Sequence, residues 1–139
     1  MRYILLFISF IFLNIIFSQK YSLDIVIPNI PKVKGHIQIG LYNDSDKFPK
    51  VGKEFKRFRF KTTKNKMRFR LNNLTKGTYA IAIYHDINSD KECNTNIFGI
   101  PTEDYGFSND VKPVLSAPSF KSAAFTVNKN KTITIKLQL

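Results

Sequence analysis

The sequence predicts an all-β domain, with short antiparallel strands stacked as a two-sheet sandwich. Three observations carry that reading. Apolar and polar residues alternate with a period of two in stretch after stretch, the mark of strands with one buried face. No segment shows the 3.6-residue periodicity of an amphipathic helix. The chain has 139 residues, room for one domain and little more.

The strands follow in order. Tyr21, Leu23, Ile25 and Ile27 alternate with Ser22 and Asp24 until Pro28, which has no N–H for a ladder, ends the run. Ile37, Ile39 and Leu41 alternate with His36, Gln38 and Gly40. Phe58 and Phe60 alternate with Arg57, Arg59 and Lys61, and Met67, Phe69 and Leu71 with Lys66, Arg68 and Arg70. Thr78 to Tyr84 is apolar on both faces, with small alanines on one, which suits a central strand covered on both sides. In the turn before it, Gly77 is expected at a positive φ, with Leu74 and Tyr79 packed beneath. Phe125 and Val127 precede a polar turn, Asn128 to Lys131, and Ile133, Ile135, Leu137 and Leu139 alternate to the C-terminus. Seven strands in so short a chain favour a two-sheet sandwich. His85 to Ser119 holds no good strand, and a long irregular loop in a small domain is commonly functional or metal-organised.

The N-terminus reads as an address. Arg2 precedes a nearly unbroken apolar run from Tyr3 to Ile16, too short for a comfortable membrane span and without a basic cluster on its far side. That is the pattern of a secretory signal peptide, residues 1–18, cut after Ser18, rather than of an uncleaved anchor. It leaves residues 19–139 as one domain with no stable transmembrane segment, in the periplasm, outside the cell or on the outer membrane. The leader contains no cysteine for lipid attachment. A single cysteine, Cys93, excludes an internal disulfide framework and a multi-cysteine zinc site.

Lys and Arg number 22 against 10 Asp and Glu, a formal charge of +12. The charge is polarised along the chain. Lys50 to Lys76 holds eleven Lys/Arg against one acid, a net +10, whereas Tyr84 to Val111 holds six acids against one Lys, a net −5. If Thr62 to Asn65 is a hairpin turn, Arg57, Arg59, Lys61, Lys66, Arg68 and Arg70 share one face of a strand pair. Such a face is either solvated, with a blunted sheet edge, or a surface for an anionic polysaccharide or other envelope polyanion. No aromatic residue interleaves there, so specific nucleic-acid binding is not supported.

The acidic stretch reads Asp86-Ile-Asn88-Ser-Asp90-Lys-Glu92-Cys-Asn94-Thr-Asn96. Oxygen ligands at alternate positions let a curled loop wrap a hard cation such as Ca2+. The opening D-x-N-x-D matches a calcium loop, but Lys91 replaces the turn glycine and Ile97 the closing Glu. The expected ligands are Asp86, Asn88, Asp90, Asn94 and Asn96, with Glu103 or Asp104 as the missing carboxylate. The competing reading is an Asx-rich turn that caps its own backbone.

The runs Gly77 to Asn88, Asn94 to Asn96, Phe98 to Asn109 and Pro118 to Phe125 together resemble the secreted bacterial family of domain of unknown function 2141, over Tyr21 to Leu139. The resemblance implies an exported β-sandwich of immunoglobulin-like or transthyretin-like type, and no established activity. The family loop usually runs H-D-x-N-x-N-G-K-L-D-T-N. Asn94 stands here in place of its last acid, Lys91 in place of Gly, and Cys93 in place of an aliphatic residue. One carboxylate fewer weakens a cation site, and Cys93 reads as a small hydrophobe rather than a reactive thiol.

An enzyme is the less favoured reading. His85 and Asp86 are neighbours, but adjacent residues of an extended chain point to opposite faces, so they do not make a relay. There is no nucleophile elbow and no phosphate-binding Gly loop. A small hydrolase built on His85 with Ser108, Ser116, Ser119 or Cys93 is the third alternative. His85 is otherwise expected to orient the loop through a ring-nitrogen hydrogen bond. Phe98, Pro101, Tyr105 and Phe107 are expected to pack as the floor of the long loop, and the segment Phe98 to Asn109 forms either a structural lid over one end of the sandwich or, with the sheet, the two sides of a ligand cleft. The sequence thus predicts a secreted, non-catalytic binding or envelope module with a structural Ca2+, ahead of an anion-binding surface protein.

Overall fold

Among the described residues, eight strands form two sheets. The structure is a computed structural model that describes residues 19–139; the expected leader lies outside the described residues. Among the described residues no helix is long and apolar enough to cross a membrane. In chain order the strands are β1 (Lys20–Ile27), β2 (His36–Tyr42), β3 (Lys56–Lys61), β4 (Met67–Thr75), β5 (Gly77–Asp86), β6 (Tyr105–Phe107), β7 (Phe125–Val127) and β8 (Lys131–Thr134). A single helical turn, α1 (Phe120–Ala123), precedes β7 and is capped by the Ser119 hydroxyl, which accepts from the Ser122 amide.

The smaller sheet has the order β4-β1-β8 and the larger one β3-β2-β5-β6, with β7 also pairing β5. One core lies between them. Leu23 and Ile25 of β1, Phe69 of β4, Ile39 of β2 and Ile81 and Ile83 of β5 all belong to it. Alternation puts these residues on inner faces and their neighbours on outer ones. β5 departs from simple alternation as its sequence suggests. Its outer face carries Ala80 into a second cluster with Tyr42, Phe48, Phe107 and Ala123. Rings of Phe48 and Tyr42 meet edge to face at 5.2 Å.

The sequence reading expects a β3–β4 hairpin, and the structure corrects it. β3 pairs with β2, and β4 with β1, so residues 62–66 carry the chain from one sheet to the other. Hydrogen bonds fix this corner: the Ile30 amide donates to the Asn65 carbonyl, and the Thr62 amide to the Gly35 carbonyl. The Phe60 and Phe69 rings then meet across the core, 4.6 Å apart. Alternation cannot separate the two arrangements, because a hairpin and a sheet-switching corner both send Phe58, Phe60, Met67 and Phe69 inward.

The ladder differs from the sequence reading in three further places. There are eight strands rather than seven, because Tyr105–Phe107 pairs with Ala82–Tyr84 inside the stretch read as irregular. The sheets are not wholly antiparallel, because β8 lies parallel to β1, from Leu23↔Lys131 to Val26↔Thr134. After β7 the chain changes sheets again, so β8 cannot fold back on it. The residue with positive φ before β5 is Asn73 (φ 61°), not Gly77. Beyond β8 the chain stitches both sheets together: the Ile135 amide reaches the Val26 carbonyl, and Gln138 exchanges backbone hydrogen bonds with Tyr105.

Phe69 is almost fully buried and bridges the sheets. Phe69→Ala should cost about 3–5 kcal/mol of unfolding free energy, measured by urea denaturation. A loss below about 1 kcal/mol would contradict a shared core.

Candidate functional site

The outer face of the larger sheet is a grid set by register. One row across it is Arg59, Gln38, Tyr84, Tyr105; the next is Arg57, Gly40, Ala82, Phe107. The second row has small residues at its centre, and the surrounding rings of Tyr42, Tyr84, Tyr105 and Phe107 stand above it. The result is a hollow, and Gly40 is needed to keep it. A Cβ there would lie 2.8 Å from the Glu54 side chain and 2.9 Å from the Tyr42 ring.

Three loops wall this hollow into a cleft of about 420 Å3. Pro49, Val51 and Glu54 come from the β2–β3 connection, Cys93 and Phe98–Pro101 from the β5–β6 connection, and Pro113–Ala117 from the segment before α1. The β5–β6 wall is a narrow finger. Thr95 and Pro101 bridge across it, and the Asn96 side-chain oxygen accepts from the Phe98 and Ile100 amides. Nine large apolar residues are exposed among the described residues, and five of them line this cleft: Val51, Phe98, Ile100, Val114 and Leu115. Phe98, expected to pack beneath the long loop, is 79 % exposed at the finger tip, whereas Tyr105 and Phe107 lie in the cleft floor on the sheet.

The charged groups beside the cleft are paired. Glu54 faces Arg57 at 2.8 Å and accepts from the Gly52 amide. Its carboxyl is held below its ordinary value: burial pushes it up, but the Arg57 and backbone hydrogen bonds outweigh that. Arg59 lies 2.6 Å from the fully buried Asp86 and also donates to the Gln38 side-chain oxygen at 3.3 Å. Cys93 lines the wall, and burial pushes its thiol up to about 11, so it is not a thiolate nucleophile at neutral pH.

The six basic residues expected on one strand pair do not share a face. Arg57, Arg59 and Lys61 belong to β3 in the larger sheet; Arg68 and Arg70 belong to β4 in the smaller one, with Lys66 just before it. Arg68 and Arg70 flank Asp24 at 3.5 and 2.7 Å, a contact whose hydrogen bonds hold the Asp24 carboxyl below the usual range. Four of the six cations therefore meet carboxylates within the chain, and Arg59 meets the first residue of the expected metal loop.

In that loop, the Asn88 side-chain amide donates to Asp90 and Asn94, and the Asn94 amide donates to Asp90. Asp86 accepts from the Lys91 backbone amide on the oxygen that faces Arg59, while its other oxygen, Oδ1, is buried without a partner. Glu103 is buried and accepts from the Ile87 and Asn94 backbone amides. Burial, reinforced by Asp86 and Asp90, nonetheless pushes its carboxyl above the ordinary 4.5. Asn88, Asp90, Asn94 and Glu103 thus belong to one hydrogen-bonded network, Asp86 holds the same loop through the Lys91 amide, and Asn96 caps the finger. No group of three or more His, Cys, Asp or Glu is gathered for a metal among the described residues.

His85 alternates to the inner face and is fully buried. Its Nε2 lies 2.8 Å from the Lys34 carbonyl oxygen, so that nitrogen carries the proton, and Nδ1 has no partner. The hydrogen bond ties down the β1–β2 connection rather than the acidic loop, and the ring does not line the cleft. Ser108 is equally enclosed, accepting from the Ile81 amide and donating to the Ala123 carbonyl. Only Ser116 of the three serines reaches the cleft wall.

The sequence reading of a cleft between this loop and the sheet named neither the other two wall loops nor the sheet residues that make the floor. A signal for the floor was available in the alternation of His36-Ile-Gln-Ile-Gly-Leu-Tyr42, which puts Gly40 on the face opposite the core, matching Ala80 and Ala82 of β5. The chain belongs to the family of uncharacterised proteins conserved in bacteria designated domain of unknown function 2141, which matches residues 25–136. No curated protein and no solved structure matches it.

Glu103 yields a pH test. A carboxyl raised by folding is penalised when charged, so its contribution to stability improves as pH falls through its folded value toward 4.5 and levels off below. The Glu103 side-chain carbon should titrate above 4.5 by NMR; a midpoint below 4.5 would reverse the sign.

Proposed function

We propose that this family member is an exported, non-catalytic binding module whose cleft takes a small, largely apolar molecule. The observation that carries the reading is the gathering of five exposed apolar side chains from three separate loops around one hollow. Exposed apolar surface concentrated in one place marks an interaction site, and a concave site of this size suits a small ligand rather than a flat protein partner. The buried His85, the protonated Cys93 thiol and the absence of an unpaired nucleophile–base pair in the cleft wall support binding rather than turnover. The apolar leader supports export.

The test uses N-phenyl-1-naphthylamine, an apolar dye that brightens when desolvated. The wild-type domain should raise its emission saturably. Phe98 and Leu115 are 79 % and 99 % exposed, so their replacement leaves the core untouched. Together Phe98→Asp and Leu115→Asp should weaken binding about tenfold or more, by loss of apolar contact. No enhancement with the wild type, or equal affinity in the variant, would overturn the reading.

A structural Ca2+ at the acidic loop is a second reading, favoured by the buried, unpartnered Asp86 Oδ1. Asp86, Asn88, Asp90, Asn94 and Glu103 would hold it; bound cation would neutralise a loop in which burial penalises the Glu103 charge. Arg59 competes, because it already compensates Asp86. Calcium should raise the melting temperature by several degrees and EDTA should remove the gain. An unchanged melting temperature in both conditions would mean that Arg59 is the only counter-ion the loop needs.

A further inference from the structure

Gln38 carries an unspent hydrogen-bonding group in the cleft floor, as does the Tyr105 hydroxyl at its edge. Gln38 is 5 % exposed and lines the cleft. Arg59 is a donor only, so the Gln38 side-chain oxygen must face it, as their 3.3 Å contact has it. The orientation of the amide is thereby fixed, and its NH2 group is turned away from Arg59. No acceptor of the described chain pairs with that NH2, in contrast to the hydroxyls of two neighbouring tyrosines. Tyr84 donates to the Lys91 carbonyl and Tyr42 to the Lys50 carbonyl. An unpaired donor facing a cleft is satisfied by water until a ligand covers it, so a bound molecule that places an oxygen there avoids the cost of leaving it unpaired.

Charge narrows the choice of oxygen. The cleft wall contains no Lys, Arg or His, and its one carboxylate, Glu54, is compensated by Arg57. Beside the floor, in the same row, Arg59 is compensated by Asp86. No free positive charge awaits an anion, and a ligand carboxylate would be desolvated close to Glu54. Most of the remaining wall, including Val51, Ile100, Pro101, Val114 and Leu115, offers apolar contact, with the Cys93 thiol and the Ser116 hydroxyl as its neutral polar groups.

We propose that the cleft selects an uncharged lipid-like molecule whose single hydrogen-bond-accepting oxygen, of the ester or ketone kind, receives the Gln38 Nε2–H. Gln38 thus sets specificity, while the three loops supply affinity for the hydrocarbon part. This rests on the cleft being a ligand site, and the experiment separates the two claims.

Displacement of N-phenyl-1-naphthylamine by methyl decanoate, tridecane and decanoate is measured for the wild type, Gln38→Met and Gln38→Glu. Met keeps the length and removes the donor. Glu keeps an oxygen for Arg59 and removes the donor, and it serves if the Met variant does not fold. The ratio of methyl decanoate to tridecane affinity should fall about fivefold in either variant, the size of one neutral hydrogen bond. Decanoate should bind more weakly than its methyl ester in the wild type. An unchanged ratio in a folded variant, or decanoate as the tightest probe, overturns the Gln38 proposal and leaves the cleft standing. Dye that does not bind the wild type at all overturns both.

Discussion

Strand β5 has two buried faces, and most of the molecule is arranged to cover them. Tyr79, Ile81 and Ile83 fill the space between the sheets, and Ala80, with Ala82 beside it, supports the second cluster outside. A strand with one wet face would need only a partner sheet. This one also needs an outer cover, which the Phe48 region, the Phe107 strand and α1 provide at one end. Where that cover stops, the small side chains Gly40 and Ala82 leave the sheet low, and the cleft occupies the gap. The site is the uncovered remainder of a face that had to be apolar for packing elsewhere.

The second organising contact is the Arg59–Asp86 ion pair. Asp86 has no exposure at all, and removing a carboxylate from water without a partner would cost several kcal/mol. Register makes the pairing available, since His36 faces Asp86 across β2 and β5 while Gln38 faces Arg59 across β2 and β3. The guanidinium therefore reaches diagonally to Asp86 and sideways to Gln38. One side chain fixes both the first residue of the acidic loop and the amide in the cleft floor. Gly35 serves the same region from the other side: its φ of 70° and an approach that leaves no room for a Cβ let the β1–β2 connection lie against the Asp86 and Ile87 backbone. Replacing it would strain the backbone and displace the loop together.

Local sequence pattern determined a good deal: the β class, the positions of the main strands, the double burial of β5, and the segment 85–119 as the region of interest. These are properties of near neighbours, since a period of two or a Pro after an apolar run depends on residues a few positions apart. The family resemblance was legible for the same reason, being carried by contiguous runs. What only the tertiary structure decided was partnership. The Phe60 and Phe69 pattern is the same in a hairpin as at a corner between sheets, so Arg57–Lys61 and Lys66–Arg70 looked like one basic surface. The ion pair of Asp86 could not be read locally, because its cation, Arg59, is 27 positions away in sequence. The cleft draws its floor from β2, β5 and β6 and its walls from three loops, none of which is concave alone. Strand alternation says which side of a strand is buried. It does not say against what, because that depends on long-range pairing energies that no short window of sequence contains.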